Sequence, residues 1–312
     1  MKQIICTICK QKEAAYFRPY SGEKLCRKCF ITSVENKVRA TIAKYRMLEY
    51  DDTVAVAVSG DKLSSGLLYI LTKIEKNYPK SSVHAVSVDE GIRGYRDKTL
   101  KVASKLCGKL GVEHHVVSFQ ELYDYTQDEI VNHIRKDGKK RLMPCECCGA
   151  LRRKALRTIA QDLGVQKIAT AHSLDEEIQT PLLHILRGDP LRISVESPFL
   201  GNVHTRLVQS IRPFCESLNR EITLYVYLRK IEIQNAPCPY ASNILRNNIH
   251  SFLDEMEFKH PSTKFVTFGA IKRIKPVIQK ITEKVELGEC ISCGEPSIGK
   301  TCSVCHVLRQ LK

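Results

Sequence analysis

The sequence has no run of about 18 apolar residues that could cross a bilayer, and its segment MKQIICTICKQKE lacks the apolar stretch of a signal peptide. These two absences argue against a membrane protein and predict a cytoplasmic one. Low-complexity linkers are also absent. The 312 residues, 43% of them hydrophobic, are enough to bury one large core or two smaller ones. A folded, enzyme-sized protein is therefore expected.

Acidic residues are in deficit, with 34 Asp and Glu against 49 Lys and Arg, which gives a net charge of +15. Such an excess favours polyanionic partners, because each neutralised phosphate releases counterions. Nucleic acid is therefore the leading class of partner. The alternative interpretation is a basic surface that serves solubility alone.

The fourteen cysteines fall into a clear pattern. Disulfides are rare in a reducing compartment, so metal or sulfur chemistry is expected to account for most of them. Paired C-x-x-C motifs at each end supply four thiolates, which suit one structural zinc ion apiece. The two sets are Cys6, Cys9, Cys26 and Cys29, and Cys290, Cys293, Cys302 and Cys305. Two zinc ribbons are predicted, each stabilised by metal in place of an apolar core; contact with RNA is the secondary interpretation.

Between the ribbons, short β-branched runs alternate with helical periods. The predicted strands are TVAVAV (53–58), VHAVSV (83–88), HHVVSF (114–119) and KIATA (167–171). Each is apolar over its length, as buried parallel strands are, and two of the helical periods that follow end on glycine. The pattern predicts a doubly wound α/β domain with a mostly parallel sheet.

The segment TVAVAVSGDKLSSGLLYIL (53–71) runs from a strand through a polar turn into a helix. In doubly wound sheets, ligands bind where such turns meet helix N-termini. Backbone amides and hydroxyls could there cradle a pyrophosphate, although the spacing of a Walker loop is absent. The candidate residues are Ser59, Gly60, Asp61, Lys62, Ser64 and Ser65. The alternative is that this turn is only a helix cap.

Several segments together resemble a known family. VSGDKLSSG resembles the S-G-G-x-D-S loop of the N-type ATP pyrophosphatases. In order, DEGIRGYRD (89–97), PCECCGALRRKAL (144–156), ATAHSLDEEIQTPLLHILRGD (169–189), IRPF (211–214) and CPYA (238–241) resemble the tRNA 2-thiouridine synthetases of archaea and eukaryotes. With both terminal ribbons, the resemblance covers almost the whole chain. It is closer to the wobble-uridine branch than to the branch that modifies the T loop.

The resemblance implies a 4Fe-4S cluster held by Cys145, Cys148 and Cys238. Soft thiolates suit such a cluster, and a missing fourth protein ligand leaves an iron open to carry sulfide. The alternative is a third zinc site completed by Cys147. Cys107 and Cys215 are interpreted as core residues.

The resemblance also implies that ATP and Mg²⁺ activate the C2 oxygen of a tRNA uridine by adenylation, before sulfur replaces it. The catalytic candidates are Asp61, Lys62, Arg152, Asp175 and Glu176. The nucleotide-binding candidates are Val58, Ser59, Gly60, Ser64, Ser65, Val88, Ala171 and His172. For Asp175 and Glu176 the alternative is an acidic first turn that complements a helix dipole.

This loop departs from the family pattern at two positions. Asp61 replaces the second glycine, and Leu63 stands where the family has its acid; Ser173 also replaces an asparagine. Leu63 cannot bind magnesium. We expect Asp61 to take over the role of the missing acid, the alternative being a variant with impaired ATP chemistry.

Four regions are predicted: a ribbon at 1–34, a catalytic α/β domain at 35–205, its helical part with Cys238 at 206–285, and a second ribbon at 286–312. The expected partners are tRNA, a sulfur donor (sulfide or a ubiquitin-like sulfur carrier) and a second copy in a homodimer. Rival functions are a non-catalytic zinc-ribbon RNA-binding protein and other adenylating enzymes of this fold, such as lysidine-forming or cytidine-thiolating ones.

Overall fold

The structure, a computed structural model, describes residues 3–137, 143–189, 192–193, 208–241, 244–281, 288–297 and 299–311. Its centre is a five-stranded parallel sheet in the order β5-β4-β3-β6-β7. The strands are β3 (Thr53–Ala57), β4 (Ser82–Asp89), β5 (His114–Ser118), β6 (Lys167–Ala169) and β7 (Gln209–Ile211). The predicted doubly wound α/β class is therefore confirmed, and all four predicted strands are present.

Helices cover both faces of the sheet. They are α1 (Arg27–Lys44), α2 (Lys62–Glu75), α3 (Arg96–Leu110), α4 (Phe119–Tyr123), α5 (Gln127–Asp137), α6 (Pro144–Asp162), α7 (Leu174–Leu186), α8 (Asn219–Leu228), α9 (Ile244–Lys259) and α10 (Thr263–Ile281). Strand β3 is central because its Val and Ala side chains are buried on both faces. None of the described helices is long and apolar enough to span a membrane.

The N-terminal ribbon contains the hairpin of β1 (Tyr16–Arg18) and β2 (Glu23–Leu25). Helix α1 begins inside the ribbon and runs unbroken past residue 34, the predicted boundary. The buried Arg18 pairs with Glu221 of α8, at 2.7 Å between Nε and Oε1. The ribbon is thus fastened to the helical part of the catalytic domain.

The C-terminal ribbon consists of β8 (Gly288–Glu289), β9 (Pro296–Ser297) and α11 (Ser303–Leu311). Val304, Val307 and Leu311 share one apolar cluster with Leu151 of α6. Because α6 also carries the central cysteines, this ribbon supports the helix on which they lie.

One element of the segment 206–285 differs from its predicted helical character, because β7 adds a fifth strand beside β6. The stretch after α8 is also irregular from residue 231 to 238 instead of continuing the helix. The boundaries predicted at 205 and 285 lie outside the described residues.

Candidate functional site

The turn between β3 and α2 lies at the carboxyl ends of the parallel strands. Val58 extends the sheet through its N–H, which donates to the carbonyl of Val86 at 2.8 Å. Gly60 has a φ of +81°, and a Cβ there would lie 2.3 Å from the carbonyl oxygen of Thr99. Only glycine fits this position, since both the backbone conformation and the close contact exclude a side chain.

The polar side chains of this turn stabilise it through hydrogen bonds. The Ser59 N–H donates to the hydroxyl of Ser64 at 3.1 Å, and the two hydroxyls are 3.0 Å apart. Asp61 is the N-cap of α2, since its Oδ1 accepts a bond of 2.8 Å from the Ser64 N–H. The N–H groups of Lys62 and Leu63, in the first turn, have no hydrogen-bond partner among the described residues. They make this turn a suitable anion site.

Leu63 and Ser65 of the turn are buried. Ser65 is fully buried, its hydroxyl has no partner within the described part of the chain, and its N–H is bonded to the carbonyl of Asp61. The nucleotide contact of Ser65 stays a prediction. Leu63 is buried in the apolar core with Leu67 and Phe214, so it stabilises the start of α2 by packing.

A buried ion pair that the sequence did not single out supports the turn. Arg96 donates to the carbonyls of Val88 at 2.7 Å and of Ser59 at 3.1 Å, and its Nε lies 2.8 Å from a Glu90 oxygen. Arg96 and Glu90 are both nearly inaccessible to solvent. Val88 is itself buried at the end of β4. Arg96 thus joins the end of β4 to the turn after β3.

Three thiols lie near this turn. Cys145 and Cys148 are three residues apart at the start of α6, on one face of the helix. Cys238 lies in the irregular segment after α8, and the Cys145 thiol donates to the carbonyl of Tyr240 in that segment at 3.1 Å. The same segment reaches the nucleotide turn, because the Gln234 N–H donates to the Gly60 carbonyl at 2.9 Å.

Electrostatic coupling shows that these thiols share one environment. Burial raises the pKa of Cys148 to about 12; Arg152 lowers it, whereas Glu90, Cys238 and Cys145 raise it further. Burial is also the main cause of the raised pKa of Cys238. A metal centre would ionise these thiols, since thiolates are the ligands.

The side chain of Cys147 lies in an apolar cluster. It is 1% exposed and belongs to the apolar cluster that contains Phe119 and Leu151. Burial raises the pKa of its thiol to about 11. The assignment of Cys145, Cys148 and Cys238 as ligands, in place of a site completed by Cys147, stays a prediction.

Arg152 lies near the thiols and His172 lies near Arg152, and both residues are exposed to solvent. Burial lowers the pKa of Arg152, but Cys148, Glu90 and Asp61 together hold it above its ordinary value. Loss of hydration and then Arg212 and Arg152 lower the pKa of His172 to about 3. His172 is thus neutral at physiological pH, and its Nδ1 lies 2.9 Å from the hydroxyl of Thr170. Ala171, next to it, is half-buried against the core.

Glu176 lies in the first turn of α7, within reach of the charge of Asp61. Its side chain accepts a 2.8 Å bond from the Ser173 N–H, which completes a capping box. Burial raises its pKa to about 7; the bond from Ser173 lowers it and the charge of Asp61 raises it. The carboxyl group therefore titrates near physiological pH, as a general acid or base must.

Asp175 faces a different environment from its neighbour. It is buried, pairs with Lys264 of α10, and accepts a 2.7 Å bond from the Asn219 N–H. Lys264 also contacts Asp254. Asp175 therefore ties α7 to α8 and α10, and its catalytic role stays a prediction. Lys62 lines a cavity of about 560 Å³ together with Asp175.

Each terminal ribbon brings its four thiols together within 4.8 Å. The Sγ atoms of Cys9 and Cys26 are 3.9 Å apart, and those of Cys293 and Cys302 are 3.7 Å apart. Zn–S bonds of about 2.3 Å in a tetrahedron separate sulfurs by about 3.8 Å. Backbone N–H groups, led by that of Cys26, overcome burial and lower the pKa of Cys6 to about 6. The described thiols therefore fit two zinc ions.

Comparison with known proteins identifies the class first. The family described as PP-loop domain matches residues 31–256. A second family, described as the N-terminal LIM domain of 2-thiouridine synthetase TtuA, matches residues 5–31. The parallel sheet and the turn at its carboxyl edge are thus those of a PP-loop protein.

The relatives are more specific. Cytoplasmic tRNA 2-thiolation protein 1 of Oryza sativa subsp. japonica is 33% identical over 305 residues, covering 97% of this chain and 82% of that protein. Its namesake in Saccharomyces cerevisiae is 30% identical over 317 residues, covering 99% and 86%. The solved U34-tRNA thiolase NcsA from Methanococcus maripaludis, with its 4Fe-4S cluster, has a TM-score of 0.86 and 29% identity, covering 100% of this chain and 97% of that one. The chain belongs to the family of cytoplasmic tRNA 2-thiolation protein 1, which confirms the resemblance and agrees with the predicted cytoplasmic location.

Proposed function

We propose that this protein is an ATP-dependent tRNA thiolase that converts the wobble uridine to 2-thiouridine. The observation that supports the proposal is the backbone hydrogen bond that joins the nucleotide turn to the segment with Cys238. Cys145 and Cys148 approach this segment from α6, and the segment is bonded to Gly60 through Gln234. Activation and sulfur transfer therefore have adjoining sites.

In the first step, the C2 oxygen of the uridine attacks the α-phosphorus of ATP and pyrophosphate leaves. The N3 proton is lost, so the activated base carries an O-adenylate at C2. The free N–H groups at the start of α2 and the Lys62 ammonium would stabilise the charge that builds on phosphate oxygens. Asp61 is the proposed magnesium ligand, because Leu63 has no oxygen to offer.

In the second step, hydrosulfide adds to C2, AMP leaves with the former oxygen, and the proton of the hydrosulfide restores N3–H. Cys145, Cys148 and Cys238 would hold a 4Fe-4S cluster, which supplies an iron position open to sulfide. Arg152 lies beside these thiols and pairs with Glu90, at 3.5 Å between Nη1 and Oε1. Its cation would orient an anionic sulfur donor and the departing phosphate.

Further partners follow from this chemistry. The sulfur donor is sulfide or a ubiquitin-like carrier protein, and the substrate binds through phosphates, as the charge of +15 favours. Two zinc ions in the ribbons and a homodimeric assembly complete the proposal. Specific support also exists for a second candidate, a tRNA-binding protein with an impaired loop, because Asp61 caps α2 and Leu63 is buried.

The test is a reconstituted reaction under anaerobic conditions. Protein with its cluster is incubated with ATP, Mg²⁺, sulfide and a tRNA transcript, and mass spectrometry of ribonuclease fragments locates 2-thiouridine. We expect it at the wobble position with wild-type protein and with Cys147→Ala, but not with Cys238→Ala. Thiouridine in the T-loop fragment would move the proposal to the other branch. Failure of cluster-loaded wild type to release pyrophosphate would favour the impaired-loop candidate.

A further inference from the structure

A cluster of potential metal ligands lies on the sheet, away from the nucleotide turn. His84 is near the start of β4, Glu113 directly precedes β5, and His115 is the second residue of β5. Ala85 is opposite His114 in the parallel register, which brings His84 beside Glu113. Glu113 and His115 are two residues apart, so all three lie on one face of the sheet. The nucleotide turn is at the carboxyl ends of the strands, whereas this cluster is near the amino ends.

The distances among the three side chains are those of ligands around one ion. His84 Nδ1 and His115 Nε2 are 3.3 Å apart. One Glu113 oxygen is 3.5 Å from His84 Nδ1, and the other is 3.5 Å from His115 Nε2. Bonds of about 2.0–2.1 Å in a tetrahedron separate neighbouring ligand atoms by about 3.3–3.4 Å. The separation of the two nitrogens matches this spacing, and the Glu113 carboxylate is close to both nitrogens, with one oxygen facing each.

A hydrogen bond between the two imidazoles explains only part of this arrangement. An N–H of one ring donating to the other accounts for the short distance between the rings. It leaves the carboxylate unexplained, because 3.5 Å exceeds the usual 2.7–3.2 Å of an N–H···O bond. Two protonated rings would repel each other at this distance. A cation shared by the two nitrogens and the carboxylate accounts for all three separations.

We propose that His84, Glu113 and His115 bind a divalent transition-metal ion of the zinc type, with water in the remaining position. Two imidazoles and a carboxylate suit Zn²⁺, Co²⁺ or Ni²⁺, in contrast to the all-thiolate ribbons. The side chains of His84 and His115 are 24% and 22% exposed, and that of Glu113 is 67% exposed, so the ion has a path from solvent. Bound metal would link the edge strand β5 to β4 and would protect that edge of the described sheet from pairing with another chain.

The experiment uses the full chain with its ribbons already loaded with zinc. Co²⁺ is added, unbound metal is removed, and the additional cobalt is counted by mass spectrometry of the elements. A difference spectrum identifies the ligands, because cobalt bound by nitrogen and oxygen gives weak d–d bands without the charge-transfer bands of thiolates. The matched control is His114→Gln: His114 lies between the two ligands in sequence but contacts Ser87 at 2.8 Å.

We expect one additional cobalt ion in wild type and in His114→Gln, and binding at least about ten-fold weaker in His84→Gln and His115→Gln. Zn²⁺ should also raise the melting temperature of wild type but not of His84→Gln. If either histidine variant fails to fold, Glu113→Gln replaces it, because this side chain is mostly exposed. No metal beyond the ribbons and the cluster, or equal binding by wild type and the variants, would overturn the proposal and leave a hydrogen-bonded histidine pair.

Discussion

Asp61 has two separable roles, a helix cap in the structure and a proposed magnesium ligand in the reaction. Its Oδ1 accepts the Ser64 N–H bond at 2.8 Å, and this cap should be worth about 1 kcal/mol. Asp61→Ala loses both the cap and the charge. Asp61→Asn keeps the cap, because asparagine is an equally good N-cap, but it loses the charge. The two variants therefore separate stability from catalysis.

We expect Asp61→Ala to lower the melting temperature by about 2 °C and Asp61→Asn to leave it nearly unchanged. Both should lower the rate of tRNA-dependent pyrophosphate release by about 10²- to 10³-fold, the cost of losing one stabilising group at a reacting phosphate. The assay measures pyrophosphate at saturating ATP over a series of Mg²⁺ concentrations. Both variants should need more Mg²⁺ than wild type.

Leu63→Ala is the matched control at the other altered position. Leu63 is 8% exposed within the core, so truncation should cost about 2–5 kcal/mol of stability. It removes no charge, and pyrophosphate release should fall less than in Asp61→Asn. Wild-type activity in Asp61→Asn would refute the reasoning, since it would leave Asp61 as a cap alone.

Four further variants test the residues around the thiols and the nucleotide turn. Cys148→Ala should lose iron and keep ribbon zinc, whereas Cys147→Ala should keep iron and lower only the melting temperature; elemental analysis of each decides, and equal iron loss would contradict the assignment. The folded state binds the Glu176 proton more tightly than the unfolded state does. The protein therefore loses stability as pH rises from 4.5 to about 7. At pH 8 the free energy of unfolding of Glu176→Gln should therefore exceed that of wild type by about 1–3 kcal/mol, whereas near pH 4.5 the two should be equal. A difference that does not change with pH would contradict the raised pKa of Glu176. Arg96→Leu leaves the buried Glu90 with only its 3.5 Å contact to Arg152 and should cost about 3–5 kcal/mol in denaturant unfolding; a loss below about 1 kcal/mol would show that Arg152 alone is enough to neutralise Glu90.

The central strands of the sheet were predictable because their apolar, β-branched runs are largely buried, and the edge strand β5 was predictable from a run of the same kind although none of its residues is fully buried. Strand β7 was not, since Gln209–Ile211 spans three residues and two of them are polar. Its strand conformation comes from pairing with β6, and this pairing leaves no pattern in the sequence. Local pattern therefore predicts central strands better than short edge strands.

In the site, the glycine indicated the polar turn, and the spacing of the cysteines indicated metal ligands. The pair of Glu90 and Arg96 had no such signal in the sequence, because charged residues after a strand are usually solvated. Burial of each is possible because the other offsets its charge at 2.8 Å. The contact of Asp175 with Lys264 was equally hidden, since the two residues are 89 positions apart. Pairing of distant charges depends on the tertiary fold and leaves no trace in local sequence.

The hydrogen bond from Gln234 to Gly60 gives the segment with Cys238 a thermodynamic consequence. A ligand that shifts the turn displaces the backbone four residues before the third thiol, and a metal centre at that thiol restrains the turn in return. Such coupling is reciprocal, so whatever free energy the cluster contributes to nucleotide affinity, the nucleotide contributes to cluster retention. Protein without nucleotide should then lose iron faster than protein saturated with it. The irregular segment after α8 thus links the nucleotide turn to the thiol of Cys238 through its backbone.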